Sequence, residues 1–151
     1  MNFPEAIRSG FRKYLAFSGR AVRSEYWYWT LFVVIVGVAA RAGDMAIVGY
    51  RVGPLRIIFD FAIVLPSSAV AVRRLHDTDR TGWWFVAIVA AVTLFLVVSI
   101  VTGMFYLRAI AIFAGVGVLL CLFGLPGTPG PNRYGPDPFG PDGHIIPRPT
   151  A

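Results

Sequence analysis

Residues 83–101 read WWFVAIVAAVTLFLVVSIV, nineteen positions without one charged side chain. Wound as an α-helix at ~1.5 Å per residue, the stretch spans ~28 Å, close to the hydrocarbon thickness of a bilayer. The rest of the chain agrees. Of its 151 residues, 56% are hydrophobic and 15% charged, against the ~25% charge of soluble domains. With a mean hydropathy of +0.65, the chain reads as an all-α integral membrane protein.

Three more apolar segments flank this span. On its C-terminal side, Thr102-Gly103 leaves room only for a tight turn, so the segment from about Phe105 to Leu125 should return as the second arm of an antiparallel hairpin. Arg108 lies near enough to the start of that segment to snorkel outward, and Ala111 with Gly115 makes a small-xxx-small pair suited to packing inside the bundle. On the N-terminal side, Leu55–Val72 carries Asp60 and Pro66, and a first segment from Tyr26 to about Val48 opens with YWYW, aromatics that favour the headgroup boundary. Four transmembrane helices are therefore expected.

Polar residues inside these segments need partners. An ionised aspartate deep in hydrocarbon costs ~2.5–3.5 kcal/mol, so Asp60 is expected to pair with Arg41 or Arg56, or to stay near the outer interface. Arg41 also stands three residues before Asp44, a spacing at which the two can pair on one helix face. Pro66 frees the carbonyl of Ala62, four residues earlier, and Ser67 and Ser68 are placed to help satisfy the disturbed backbone.

Outside the spans the chain divides into residues 1–25, an interfacial amphipathic segment, and residues 126–151, a tail, on either side of a transmembrane domain over 26–125. In the first, Phe3, Ile7, Phe11, Tyr14 and Leu15 recur at helical spacing, Pro4 suits a first helical position, and Ser18-Gly19 marks a stop. Such a helix lies in the membrane interface with its apolar face down, and Gly10 weakens it. The first long apolar run starts near Tyr26, after a basic amphipathic stretch, and lacks a small-residue cleavage site, so a cleavable signal is not expected. The tail holds eight of the eleven prolines and five glycines in 26 residues, which leaves only local turns. Its first half is expected to fold back on the membrane-proximal loops, and its last ten residues to be mobile.

Charge fixes the orientation. Ten of the fourteen Lys and Arg residues lie in the N-terminal region, the 73–80 stretch and the tail, and four (Arg41, Arg51, Arg56 and Arg108) on the other side. Both termini are thus expected in the cytoplasm, and the net charge of +6 reads as a membrane-facing balance and not as a nucleic-acid footprint. Cys121 is the only cysteine, and His76 and His144 are the only histidines, so neither a disulfide nor a metal set is expected. Ser67 and Ser68 sit ~12 Å along a helix from the His76-Asp77 pair, too far for a catalytic triad. The PGTPGPN stretch lacks the lysine and following helix of a phosphate-binding loop. Neither an enzyme nor a cofactor is expected.

The stretch AVRRLHDTDRTGWW (Ala71–Trp84) puts six ionisable side chains into eight positions, Arg73 to Arg80, between two apolar spans. Read plainly, it is an interfacial turn in which Arg73 and Arg74 meet lipid phosphates, Asp77 and Asp79 order the turn, and His76 is a hydrogen-bonded loop histidine. Arg20, Arg23 and Glu25 fall at the same level, as do Asn132, Arg133 and Tyr134 after the last span. With Arg73, Arg74, His76, Asp77 and Arg80 they form a candidate polar cluster on the cytoplasmic face. Arginine suits it, because its planar fork takes carboxylate or phosphate bidentately.

Three blocks, FSGRAVRSEYWYW (17–29), LPSSAVAVRRLHDTDRTGWW (65–84) and PGTPGPNRYGPDP (126–138), together resemble the domain of unknown function 805 family of small bacterial inner-membrane proteins. The resemblance implies a multi-helix inner-membrane protein and supplies no biochemical activity and no residue roles. The Pro-rich ending after Pro138 extends past the family's pattern. The sequence therefore points to a non-enzymatic membrane protein whose cluster binds a membrane-protein partner, a second copy, or the anionic headgroups of membrane lipids. The alternative is a subunit of a small oligomeric transporter or channel, which would depend on Asp60.

Overall fold

The computed structural model describes residues 1–49 and 53–139. Five helices follow one another: α1 (Phe3–Arg12), α2 (Arg23–Ile47), α3 (Pro54–Asp77), α4 (Trp83–Thr102) and α5 (Phe105–Gly124). The last four are long and apolar enough to cross a membrane, and no strand occurs among the described residues. Phe61, Val101 and Phe113 each leave more than three-quarters of their surface exposed, an apolar exterior suited to hydrocarbon. The expectation of a mobile end falls on residues outside the described range.

Two antiparallel hairpins make up the bundle. In the first, α2 and α3 pack along their length, around Trp29, Ile63 and Val70. In the second, Gly103 takes the left-handed conformation (φ 70°) that lets α4 turn into α5, and Ser99, fully buried, donates to the carbonyl of Met104 at 3.1 Å. Ala111 and Gly115 face α4: a Cβ on Gly115 would lie 2.9 Å from Val92 Cγ2. The hairpins join at one end, where Ala71 and Leu75 of α3 meet Leu122 and Phe123 of α5.

α1 differs from a helix that merely floats in the interface. Asn2 and Glu5 cap it reciprocally, Asn2 Oδ1 accepting from Glu5 N at 3.0 Å and Glu5 Oε2 from Asn2 N at 2.8 Å. It packs on α2 and α3. Gly10 is the contact point: the Trp29 ring occupies the space a Cβ would need. Phe11 meets Trp29 and Phe32 edge-on, with centroids 5.3 and 5.8 Å apart. The helix-weakening residue is thus what admits the largest buried side chain of the core.

The YWYW run divides between surroundings. Trp27 and Tyr28 face outward, Tyr26 stacks on Phe123 at 4.3 Å, and Trp29 turns inward to donate from Nε1 to Ser67 Oγ at 3.1 Å. The carbonyl that Pro66 frees at Ala62 accepts from the Tyr14 hydroxyl at 2.5 Å, while Ser68 bonds Val64 and Ser67 serves Trp29. A side chain 48 residues away in sequence fills the gap that the neighbouring serines were expected to fill.

At the bundle end opposite α1, Asp44 does not pair with Arg41. Its fully buried carboxylate accepts the backbone N–H groups of Gly53, Leu55 and Arg56 at 3.0, 3.0 and 2.8 Å. Three orphan donors at the start of α3, aligned with its dipole, outcompete one exposed arginine. Arg56 bonds Asp60 one turn along its own helix (Nε to Oδ2, 2.8 Å), and Arg41 stands exposed on α2.

Candidate functional site

α3 continues five residues beyond the expected end of its span, so RRLHD forms its last turns and not a solvated loop. This turns the charge inward. Arg73 and Arg74 are 1% and 0% exposed, and with Arg20, Glu25, His76 and Asp77 they are buried where α1, α2, α3 and the tail meet. Both arginines are enclosed by protein instead of lying on the surface of an interfacial turn.

Asp77 is the hub. Its Oδ1 accepts from Arg20 Nε at 2.9 Å and its Oδ2 from Arg74 Nη1. Each arginine then reaches backbone carbonyls at the end of α5 or in the chain after it. Arg20 donates to Thr128 and Gly130, both at 2.6 Å, and Arg74 to Phe123 at 3.2 Å and to Leu125. Arg23 adds a bond to Leu125 at 2.9 Å. The carbonyls left open at the end of α5 thereby meet positive charge, which the helix dipole favours.

The tail in turn caps α3. Thr128 donates its N–H to Asp77 O at 2.8 Å, and Asn132 Nδ2 donates to His76 O at 2.9 Å. Gly127 passes so close to the Asp77 carboxylate that a Cβ there would overlap it. Asn132 and Gly135 exchange two backbone bonds of 3.0 Å, closing a turn that lays the Tyr134 ring flat on His76, 3.8 Å away and 2° from parallel. His76 Nδ1 lies 3.2 Å from Gly19 O. The first half of the tail thus folds back, as a bonded clasp.

Outside this core sits a looser rim. Arg133 bonds Asp79 through Nε (3.1 Å) and Nη2 (2.6 Å) with both side chains about half exposed. Arg80 stands apart from the other cluster residues, its guanidinium 5.9 Å from the Trp84 ring. Glu25 and Arg73 pair separately from Asp77: Glu25 Oε1 accepts from Arg73 Nη1 at 2.8 Å and from Ser9 Oγ at 2.9 Å, with Lys13 Nζ 3.9 Å away.

Of the eleven residues the sequence nominated, ten meet at this end in one bonded assembly or directly beside it. Thr128, Asp137 and Ser9 were missed. Asp137 accepts from Gly130 N at 2.6 Å and Phe139 N at 2.9 Å, which holds its carboxyl below the usual range, the Phe139 bond foremost and the Arg20 charge adding to it. An Asp between two prolines is a turn signal that identifies this role in advance. Ser9 has no such signal. Asp60, Arg56 and Arg41 lie toward the other end and take no part. Among the described residues no group of side chains could hold a metal ion.

Fold and site define an all-α integral membrane protein with four spans, its buried arginines gathered at one end under a folded-back tail. Residues 14–136 match the family described as protein of unknown function, DUF805, and the chain belongs to that family. It is 40% identical over 127 residues to inner membrane protein YhaI of Escherichia coli K12, covering 84% of this chain and 89% of that protein. It is 35% identical over 130 residues to inner membrane protein YhaH of the same organism, covering 84% and 90%. An uncharacterized protein of that organism, YiiR, is 30% identical over 128 residues, covering 81% of this chain and 85% of its own. No solved structure matches the chain.

Proposed function

We propose that this protein acts by binding and not by catalysis, with both termini in the cytoplasm. Its recognition element is the face that the clasp holds rigid, and its partner is a membrane protein with an acidic cytoplasmic surface. One observation carries this reading: segments far apart in sequence commit their buried arginines to fixing residues 125–130 over the end of α3. A tail bonded at this density is preorganised, which lowers the ordering cost of recognition. The groups with catalytic potential are already engaged in the clasp, since Asp77 holds two arginines and His76 lies between Gly19 and Tyr134. The exposed Arg23 and Arg133 give the face its positive sign, suited to steering an acidic partner.

The orientation is supported by the ten-to-four division of basic residues, since nine of the ten belong to the described parts of the three segments that converge here. The alternative of a transporter subunit has less support, because Asp60 is held by Arg56 on its own helix with half of its side chain exposed.

Native mass spectrometry of protein extracted gently from its own membranes tests the proposal, comparing wild type with Arg133→Glu. Arg133 lies on the rim, so the variant keeps the buried clasp and reverses one surface charge. The expected result is a protein of fixed stoichiometry on wild type that the variant loses. The same bare species in both would overturn the reading.

A further inference from the structure

The buried cluster is short of negative charge. Asp77 is shared by Arg20 and Arg74, and Glu25 by Arg73 and Lys13, so each carboxylate faces two cations. Arg20 and Arg74 turn their remaining N–H groups to backbone carbonyls. Arg73 does not: its Nε and Nη2, both buried, meet no acceptor among the described residues. These two nitrogens form one edge of the guanidinium, with parallel N–H directions that match a pair of anionic oxygens. A buried charge-bearing group left without hydrogen bonds is costly, and such a site favours a ligand that supplies them.

We propose that this edge of Arg73 binds the phosphate of an anionic phospholipid, with Lys13 as the second cation. Three features favour a membrane phosphate. Arg73 Nη1 is already anchored by Glu25, which fixes the plane of the fork. Lys13, immediately after α1, leaves 35% of its side chain exposed beside the same Glu25, so it offers a phosphate a cation close to the anchored side of Arg73. Leu15 and Phe17 follow with 65% and 40% of their surface exposed, apolar contacts for the acyl chains of a lipid whose phosphate lies at Lys13. Arg8 and Arg12 stand exposed on the same short helix and add positive charge to the approach. Because Arg73 is itself 1% exposed, occupancy requires the side chains that cover its edge to move aside, and the lipid once bound should dissociate slowly.

The full chain in phosphatidylcholine nanodiscs, with and without phosphatidylglycerol, provides the test. In wild type labelled with ¹⁵N-arginine, phosphatidylglycerol should shift the Arg73 Nε–H resonance, assigned by its disappearance in Arg73→Lys. Native mass spectrometry should find one phosphatidylglycerol per chain, bound at least tenfold more weakly by Arg73→Lys and more weakly also by Lys13→Gln, each variant compared with wild type at equal helical content. An unshifted Arg73 resonance, or equal affinity in wild type and Lys13→Gln, would overturn the site. A full shift by inorganic phosphate in phosphatidylcholine discs would overturn the lipid as occupant. Arg133→Glu should bind the lipid as wild type does, so loss of the proposed protein partner and loss of this site are read separately.

Discussion

Replacing Asp77 by asparagine changes almost no volume and removes one negative charge from between two buried arginines. Arg20 and Asp77 have side chains 1% and 3% exposed, and Arg74 0%, so neither guanidinium finds water when the carboxylate goes. Breaking a buried pair costs ~3–5 kcal/mol, because the remaining charge stays buried. Arg20 and Arg74 are also the residues that hold Thr128, Gly130 and Leu125, so the loss should fall on docking of the tail before it reaches the spans. At ~1.4 kcal/mol per factor of ten, even 3 kcal/mol raises the opened fraction about a hundredfold. Hydrogen exchange of the protein in nanodiscs reads this directly: the Thr128 amide, bonded to Asp77 O, should exchange about a hundredfold faster in Asp77→Asn. Amides of α4 and α5 should be unchanged. The comparison is Asp79→Asn on the rim, where Arg133 and Asp79 have side chains 57% and 46% exposed. An exposed pair contributes ~1 kcal/mol at most, so exchange should rise by less than about tenfold. Wild-type exchange at Thr128 in a folded Asp77→Asn would refute the assignment of Asp77 as hub.

Gly10→Ala puts a methyl group into the Trp29 ring and should destabilise the packing of α1 by ~1–3 kcal/mol; faster tryptic cleavage at Arg8 and Arg12 would register it, and unchanged cleavage would count against the contact. Tyr14→Phe leaves the Ala62 carbonyl without its hydroxyl donor and should lower stability by ~1 kcal/mol, measured by thermal unfolding in detergent; an unchanged midpoint would mean another group serves that carbonyl. The Asp137 carboxyl is depressed in the folded chain, so its contribution is complete above the unfolded value of ~3.9 and is lost as pH falls through the lower folded value. The Gly130 amide resonance should therefore hold steady from pH 8 to 5 and move only in stronger acid, and a midpoint at or above ~3.9 would contradict the bonding.

The number and length of the spans were legible in the sequence because hydrocarbon imposes a length and a composition on each one. Trp83–Val101 and the observed α4, Trp83–Thr102, differ by a single residue. The end of α3 was not legible in the same way. The apolar run ends at Val72, where charge begins, and helix propensity does not stop Arg, Leu and His from continuing. The convergence of the three blocks could be anticipated from topology, since alternate connections of a helical bundle share an end. What could not be anticipated was the choice of partner. Arg74 and Arg20 each have a carboxylate available, yet most of their bonds go to backbone carbonyls, and backbone carbonyls carry no residue signature. Asp44 was hidden for the converse reason, because its partners are backbone N–H groups.

These choices follow one physical requirement. In and near a membrane, a helix terminus or a proline break leaves polar backbone groups that water does not reach, and each must find a partner within the chain. α3 presents all three problems, and a different segment answers each. Asp44 of α2 takes the N–H groups at its start, Tyr14 after α1 takes the carbonyl freed by Pro66, and Thr128 and Asn132 of the tail take the carbonyls at its end. α3 is therefore the element on which the others register, and its final turn is also where the candidate recognition face is built. A partner that pulls the tail away would uncover the Asp77 and His76 carbonyls together with two arginines. The clasp should accordingly bind its partner as a closed unit, with recognition on its outer rim at Arg133 and Arg23 and not by exchange of its buried bonds.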